Sequence, residues 1–219
     1  MMHELTIAQI AELTFAPDHP LVICDVDEVI VHFTREFEEF LTEREMELDF
    51  DTAVHSFAMT RYRQSRKPVE PEIMGRLVDQ FFAERTLGMK TIDGAVDALR
   101  TISRHADIVL LTNLPHQAGD HRRQNLQTHG LNYPVVTNSG PKGPAIRHIA
   151  EQVKAPVIFI DDSPGFITSA YEHAPHVHLV HFVQDERFLR ITKPLDFVSL
   201  ATNNWPEVQA HVLDILTKT

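Results

Sequence analysis

Two carboxylates, Asp25 and Asp27, stand two residues apart at the end of the apolar run Leu21-Val22-Ile23-Cys24. In an extended backbone residues i and i+2 point to the same side, so the pair can converge on one point. Converging carboxylates offer hard oxygen ligands to a divalent cation and a site for proton transfer. Alone, such a pair is more often a polar turn or a helix cap than a site. Three further segments extend it. The apolar run 108–111 is followed by Thr112-Asn113, the run 157–160 delivers Asp161-Asp162, and Lys142 lies in the glycine- and proline-framed loop 139–144 at a helix start.

Short runs rich in Val, Ile and Leu predict the strands that carry these residues, over 21–25, 107–112, 134–137, 156–161 and 177–183. Helical patterns lie between them, over 93–99, 117–129 and 144–153, with Pro144 suited to a first helical turn. Residues 6–13 and 206–216 add flanking amphipathic helices, the second with Asn204 as N-cap. Alternation of strand and helix implies right-handed crossovers and a doubly wound α/β fold, its parallel sheet covered on both faces. Ligands gather beyond the carboxyl ends of such strands, where the polar motifs fall. The interval from Asp27 to Thr112 is too long for one crossover, so residues 34–88 read as an insertion. Helices are expected there over 34–47 and 71–85, with either a third helix or a hairpin over 56–69.

A chain of 219 residues with 43% apolar content fits one large core, or a core with a small inserted domain. The net charge of −11 argues against a nucleic-acid surface, which needs clustered cations, and points to a small substrate. The single cysteine, Cys24, excludes an internal disulfide, fits a reducing compartment and reads as a small buried hydrophobe. The first residues lack a signal-peptide pattern and no apolar stretch approaches membrane-spanning length, so a cytoplasmic protein without a membrane partner is expected. Of the 14 histidines, His173, His176, His178 and His181 fall close together; the pattern reads as a strand with one solvated face rather than a zinc site. Arg61, Arg63, Arg66 and Lys67 concentrate positive charge, either as a solvated loop or as contacts for an anionic part of a substrate.

The ordered set Asp25-x-Asp27, Thr112, Lys142, Asp161-Asp162 resembles the haloacid dehalogenase-like (HAD) hydrolase superfamily, over nearly all of the chain outside 34–88. The resemblance implies a Rossmann-like core at 1–33 and 89–219 with strand order 3-2-1-4-5, and a small, mainly helical cap at 34–88 over the active site. It implies Mg²⁺-dependent hydrolysis of a small phosphomonoester through an aspartyl-phosphate. Asp25 is then the nucleophile, and Asp27 the acid that protonates the leaving oxygen and later the base that activates water. The Thr112 hydroxyl and the Asn113 amide would hold phosphoryl oxygens, and Lys142 would neutralise charge shared with Asp25. Magnesium would take a side-chain oxygen of Asp25, the carbonyl of Asp27 and the Asp161-Asp162 pair, with Asp162 as direct ligand and Asp161 behind it or bound through water.

Two residues depart from the family pattern. Glu28 replaces the usual glycine and is expected to face outward as a loop residue, and Val29 stands where threonine is frequent. A receiver-type module is disfavoured because its paired acids precede the phosphorylated aspartate, and a dehalogenase because it lacks an acid equivalent to Asp27. A phosphosugar mutase or a non-catalytic small-ligand-binding protein would use the same constellation. The implied partner is a small phosphorylated metabolite such as a sugar phosphate or nucleotide; nothing in the sequence specifies an oligomeric state.

Overall fold

Along the first strand, alternate side chains part to opposite faces: Val22 and Cys24 join one hydrophobic cluster, Leu21 and Ile23 another, and all four are buried. A strand covered on both faces needs no polar alternation, which is why it reads as a continuous apolar run. This strand belongs to a computed structural model in which residues 2–51 and 57–218 are described. Helix α1 (Glu4–Ala11) precedes β1 (Leu21–Cys24). The chain then passes through α2 (Phe33–Thr42), the short strands β2 (Met46–Leu48) and β3 (Thr60–Tyr62), and α3 (Pro71–Arg85). Strand and helix alternate from there: α4 (Ala95–Ile102), β4 (Asp107–Asn113), α5 (Gly119–Thr128), β5 (Val135–Asn138), α6 (Gly143–Ala150) and β6 (Val157–Asp161). The last elements are α7 (Pro164–His173), β7 (His178–Phe182), α8 (Glu186–Ile191), β8 (Leu200–Thr202) and α9 (Trp205–Thr217).

Among the described residues the main sheet is six-stranded and parallel, in the order β5-β4-β1-β6-β7-β8. The five expected strands keep the order 3-2-1-4-5. β8, only three residues long and only partly buried, adds a sixth strand beside β7 that no apolar run announces. Helices α1, α6 and α7 supply Ile10, Ile146 and Ile167 to one face; α4, α5 and α9 supply Leu99, Leu126 and Trp205 to the other. Burial on both faces corrects the expected solvated face of the histidine strand. Val180 and Phe182 pack into one cluster and Leu179 into the other, so that His178 is exposed at the start of β7 but His181 is buried.

In the inserted segment, β2 and β3 pair antiparallel with Met46 opposite Tyr62 and Leu48 opposite Thr60. The segment is therefore a helix pair with a hairpin between, less helical than expected, and residues 52–56 lie outside the described ones. Phe37 and Phe40 of α2 meet Phe81 of α3 with ring centroids 5.0 and 5.4 Å apart, edge to face. These rings belong to the same hydrophobic cluster as Val22 and Cys24 under the sheet, so the insertion shares the main core.

Candidate active site

Parallel register brings the polar residues together. Cys24 lies opposite Leu110 on one side and Ile160 on the other, and the N–H of Asp25 donates to the carbonyl of Ile160 at 2.9 Å. Asp25, Thr112 and Asp161 thus emerge at the same edge, at the point where strand order reverses between β1 and β6.

Lys142 ties this edge together. Its side chain is fully buried, and Nζ lies 2.6 Å from Asp25 Oδ1 and 2.6 Å from Asp161 Oδ2. Burial alone would lower the lysine pKa, but the two carboxylates together raise it, so it stays charged. The loop that delivers it is fixed locally. Gly140 takes a φ of 79°, and its carbonyl accepts from the Asn113 side chain at 2.8 Å and from Asn138 at 3.1 Å. Next to the lysine, a Cβ on Gly143 would come within 2.1 Å of the Ser169 carbonyl, so only glycine lets α6 pack this close to α7. The Phe166 ring lies 4.8 Å from Nζ.

Asp161 and Asp162 differ in their partners. Both oxygens of Asp161 are engaged, Oδ2 by Lys142 and Oδ1 by the Ser163 N–H at 2.8 Å. The Asp162 carboxylate meets no donor among the described residues, while its backbone carbonyl accepts from His181 Nε2 at 2.9 Å. Burial pushes Asp161 up to about 7, against the opposing pull of Lys142; burial and then the charges of Asp161 and Asp25 push Asp162 well up. One oxygen from each of Asp25, Asp161 and Asp162 falls in a group within 4.8 Å of one another. A crowded, buried set of carboxylate oxygens suits a hard cation such as Mg²⁺ and lacks the imidazole or thiolate ligands that zinc favours.

Asp27 is held by residues that sequence reasoning only half anticipated. The Thr112 hydroxyl donates to Asp27 Oδ2 at 3.2 Å, and the guanidinium of Arg122 pairs with Oδ1. Arg122 lies on α5, is fully buried, and is held by Asn125 Oδ1 and the Met89 sulfur, each at 3.3 Å. Burial raises the Asp27 carboxyl above its ordinary value, against the Arg122 charge that lowers it. The missed signal was the face Arg122, Asn125, Leu126 of a helix that otherwise reads as polar all round.

Glu28 does not face outward. It is buried at a φ of 62°, the left-handed region in which glycine is the usual residue, and its carboxylate accepts from the Thr34 N–H at 2.7 Å. It thus caps α2, whose own N-cap residue His32 makes no side-chain bond to the helix. Arg61, Arg63 and Arg66 pair with acids of the hairpin region: Arg61 with Asp49, and Arg63 and Arg66 with Glu47. None of the three lines the cavity above Asp25.

That cavity, of about 360 Å³, opens directly over Asp25, Asp27, Asn113 and Asp162. Its walls come from α2, the hairpin region, α3, α7 and α8 and are mostly phenylalanine.

No family model and no curated protein matches the sequence. Solved structures do share its fold. A HAD family hydrolase from Deinococcus radiodurans R1, with bound phosphate and sodium, is 16% identical with a TM-score of 0.61, covering 91% of this chain and 97% of its own. A Bacillus subtilis protein named as a HAD hydrolase and bound to magnesium is 13% identical with a TM-score of 0.62, covering 89% and 99%. A Clostridium difficile protein named for phosphatase activity is 11% identical with a TM-score of 0.60, covering 90% and 100%. The chain has the α/β fold of the HAD hydrolases. Among the described residues no helix is long and apolar enough to cross a membrane.

Proposed function

We propose that this protein is a HAD-type phosphatase that hydrolyses a small phosphomonoester through an aspartyl-phosphate on Asp25. The observation that carries the reading is Lys142 buried between Asp25 and Asp161, with Asp27 and Asp162 at the same edge of a HAD-like sheet. A carboxylate can attack an anionic phosphoryl group only where that charge is offset. Asp25 would attack phosphorus as the bond to the leaving oxygen breaks, and Asp27 would give that oxygen its proton. Water would then attack the phosphorus of the aspartyl-phosphate, losing its proton to Asp27 and freeing phosphate and Asp25. Lys142 would offset charge on Asp25 and the phosphoryl group, while the Thr112 hydroxyl and the Asn113 amide orient its oxygens.

Mg²⁺ would be held by Asp25, the Asp27 carbonyl and Asp162, with Asp161 behind it, and would supply positive charge for the transferring group. Support for this division is the engagement of both Asp161 oxygens and of neither Asp162 oxygen among the described residues. Residues 34–88 would act as the cap over a core of 1–33 and 89–219. Among the described residues no lysine, arginine or histidine lines the cavity to hold a second phosphoryl group, which favours hydrolysis over mutase chemistry. A cytoplasmic setting belongs to the same reading, the sole cysteine being buried and free.

Asp25→Asn tests it. p-Nitrophenyl phosphate turnover with Mg²⁺ is expected to fall by about 10³-fold or more while circular dichroism is unchanged. Turnover within a few-fold of the parent, with the fold retained, would end the nucleophile assignment.

A further inference from the structure

The chamber over Asp25 is an unusual place for a sugar. Six phenylalanines, Phe33, Phe37, Phe57, Phe82, Phe166 and Phe188, line it together with Leu48 and Met59. Its charged lining groups are all acids, Asp25, Asp27, Glu28 and Asp162, and its neutral polar ones are Thr34, Asn113 and Ser163. Among the described residues that line it there is no cation, and the arginines of the hairpin region are paired with Glu47 and Asp49 instead.

The walls are also preformed. Phe33 meets Phe37 and Phe57 with ring centroids 5.5 and 5.9 Å apart, and Phe57 meets Phe37 edge to face at 5.3 Å. Across the chamber Phe188 is carried by α8, which is tied to the insertion by a two-pronged bond from Arg187 to Glu38, at 2.7 and 2.8 Å. The same guanidinium lies 4.2 Å over the Phe50 ring, and Phe50 meets Phe188 edge to face.

We infer that, within the phosphatase reading on which this rests, the substrate is the phosphate ester of an apolar, ring-bearing alcohol whose ring occupies the phenylalanine chamber. A sugar or nucleotide hydroxyl directed at the phenylalanines loses its water and finds no donor or acceptor on those rings. A second phosphate or a carboxylate meets acids rather than cations. An aromatic or alicyclic ring instead loses only apolar hydration and gains edge-to-face contacts with rings already in place. A chamber of about 360 Å³ sits at the small end of ligand clefts and suits one or two rings.

The test uses esters of alcohols with similar leaving-group strength: 2-phenylethyl phosphate, ethyl phosphate, glycerol 3-phosphate and glucose 6-phosphate, each with Mg²⁺. The phenylethyl ester is expected to exceed the other three in kcat/KM by about 10²-fold, most of it in KM. Phe57→Ala is expected to reduce kcat/KM for the phenylethyl ester about tenfold more than for ethyl phosphate. Equal or better turnover of glycerol 3-phosphate or glucose 6-phosphate would overturn the inference and leave the phosphatase standing. If no ester is hydrolysed, the phosphatase reading fails and the chamber is judged by binding. Calorimetric affinity for 2-phenylethylphosphonate well above that for ethylphosphonate would then uphold the apolar site, and equal affinities would overturn it.

Discussion

At the floor of the site each charged group but one is matched: Lys142 to Asp25 and Asp161, Arg122 to Asp27, the Thr34 N–H to Glu28, with Asp162 left facing the cavity. In the chamber above, rings touch rings, Phe33, Phe37 and Phe57 each meeting the other two. The two regions tolerate change differently. Taking one member from a buried charged set leaves another uncompensated, whereas trimming one ring from a wall leaves the others in place. The floor therefore fixes a reaction, and the chamber can be varied to fix what enters it.

The sharpest way to break this contrast is at Asp27. Asp27→Asn is expected to reduce single-turnover phosphorylation by alkyl phosphates by about 10³-fold and by p-nitrophenyl phosphate far less, since a good leaving group needs no acid. Arg122→Met should follow the same leaving-group pattern at about 10- to 100-fold, with partial recovery in Arg122→Lys. An equal loss for good and poor leaving groups would remove Asp27 from the acid role and Arg122 from its support.

A smaller effect is expected on stability. Because burial raises Asp161 and Asp162, the folded chain holds protons there more tightly than the unfolded chain. Their contribution therefore falls as pH rises from the unfolded carboxylate value toward about 7. Mg²⁺ at about 100 times its dissociation constant should raise Tm by about 5 °C near neutral pH, by mass action. The rise should shrink toward about pH 5, where protons compete for the carboxylates. Asp162→Asn should flatten the difference, and a magnesium shift independent of pH in the parent protein would contradict it.

The smallest effect is expected in the hairpin region. Replacing Arg61 and Arg63 by alanine should change KM for any phosphate ester by less than about twofold, because neither lines the cavity; the half-exposed Arg63–Glu47 pair contributes little, and loss of the more buried Arg61–Asp49 pair would be read in stability rather than in KM. A KM rise of tenfold, confined to substrates with a second anionic group, would return these arginines to substrate binding.

The floor was largely legible in the sequence and the chamber was not, for a physical reason. Asp25, Thr112 and Asp161 each close an apolar run, so the run and its polar successor announce them, and the glycine- and proline-framed loop at a helix start announces Lys142. Strand order came with the resemblance to the HAD core, the crossover rule giving only a parallel sheet covered on both faces. Phe33, Phe82 and Phe188 are apolar residues on helices, and nothing in their type separates a residue that lines a cavity from one that fills a core. Arg122 escaped because a buried cation on a polar helix looks solvated until its partner is known. Glu28 escaped because left-handed backbone has no side-chain signature when a carboxylate stands in place of glycine. The strands β2, β3 and β8, each three residues long, are too short for alternation to show.

The last helix carries a final consequence. Trp205, at the start of α9, is the only tryptophan in the chain; its indole N–H donates at 2.9 Å to the carbonyl of Val29, two residues beyond Asp27. The ring is fully buried against Phe182. Excited at the red edge of its absorption, this one fluorophore reports on the turn that carries Asp27 and Glu28 without any label, so occupancy of the site by cation or ester can be followed by emission in real time.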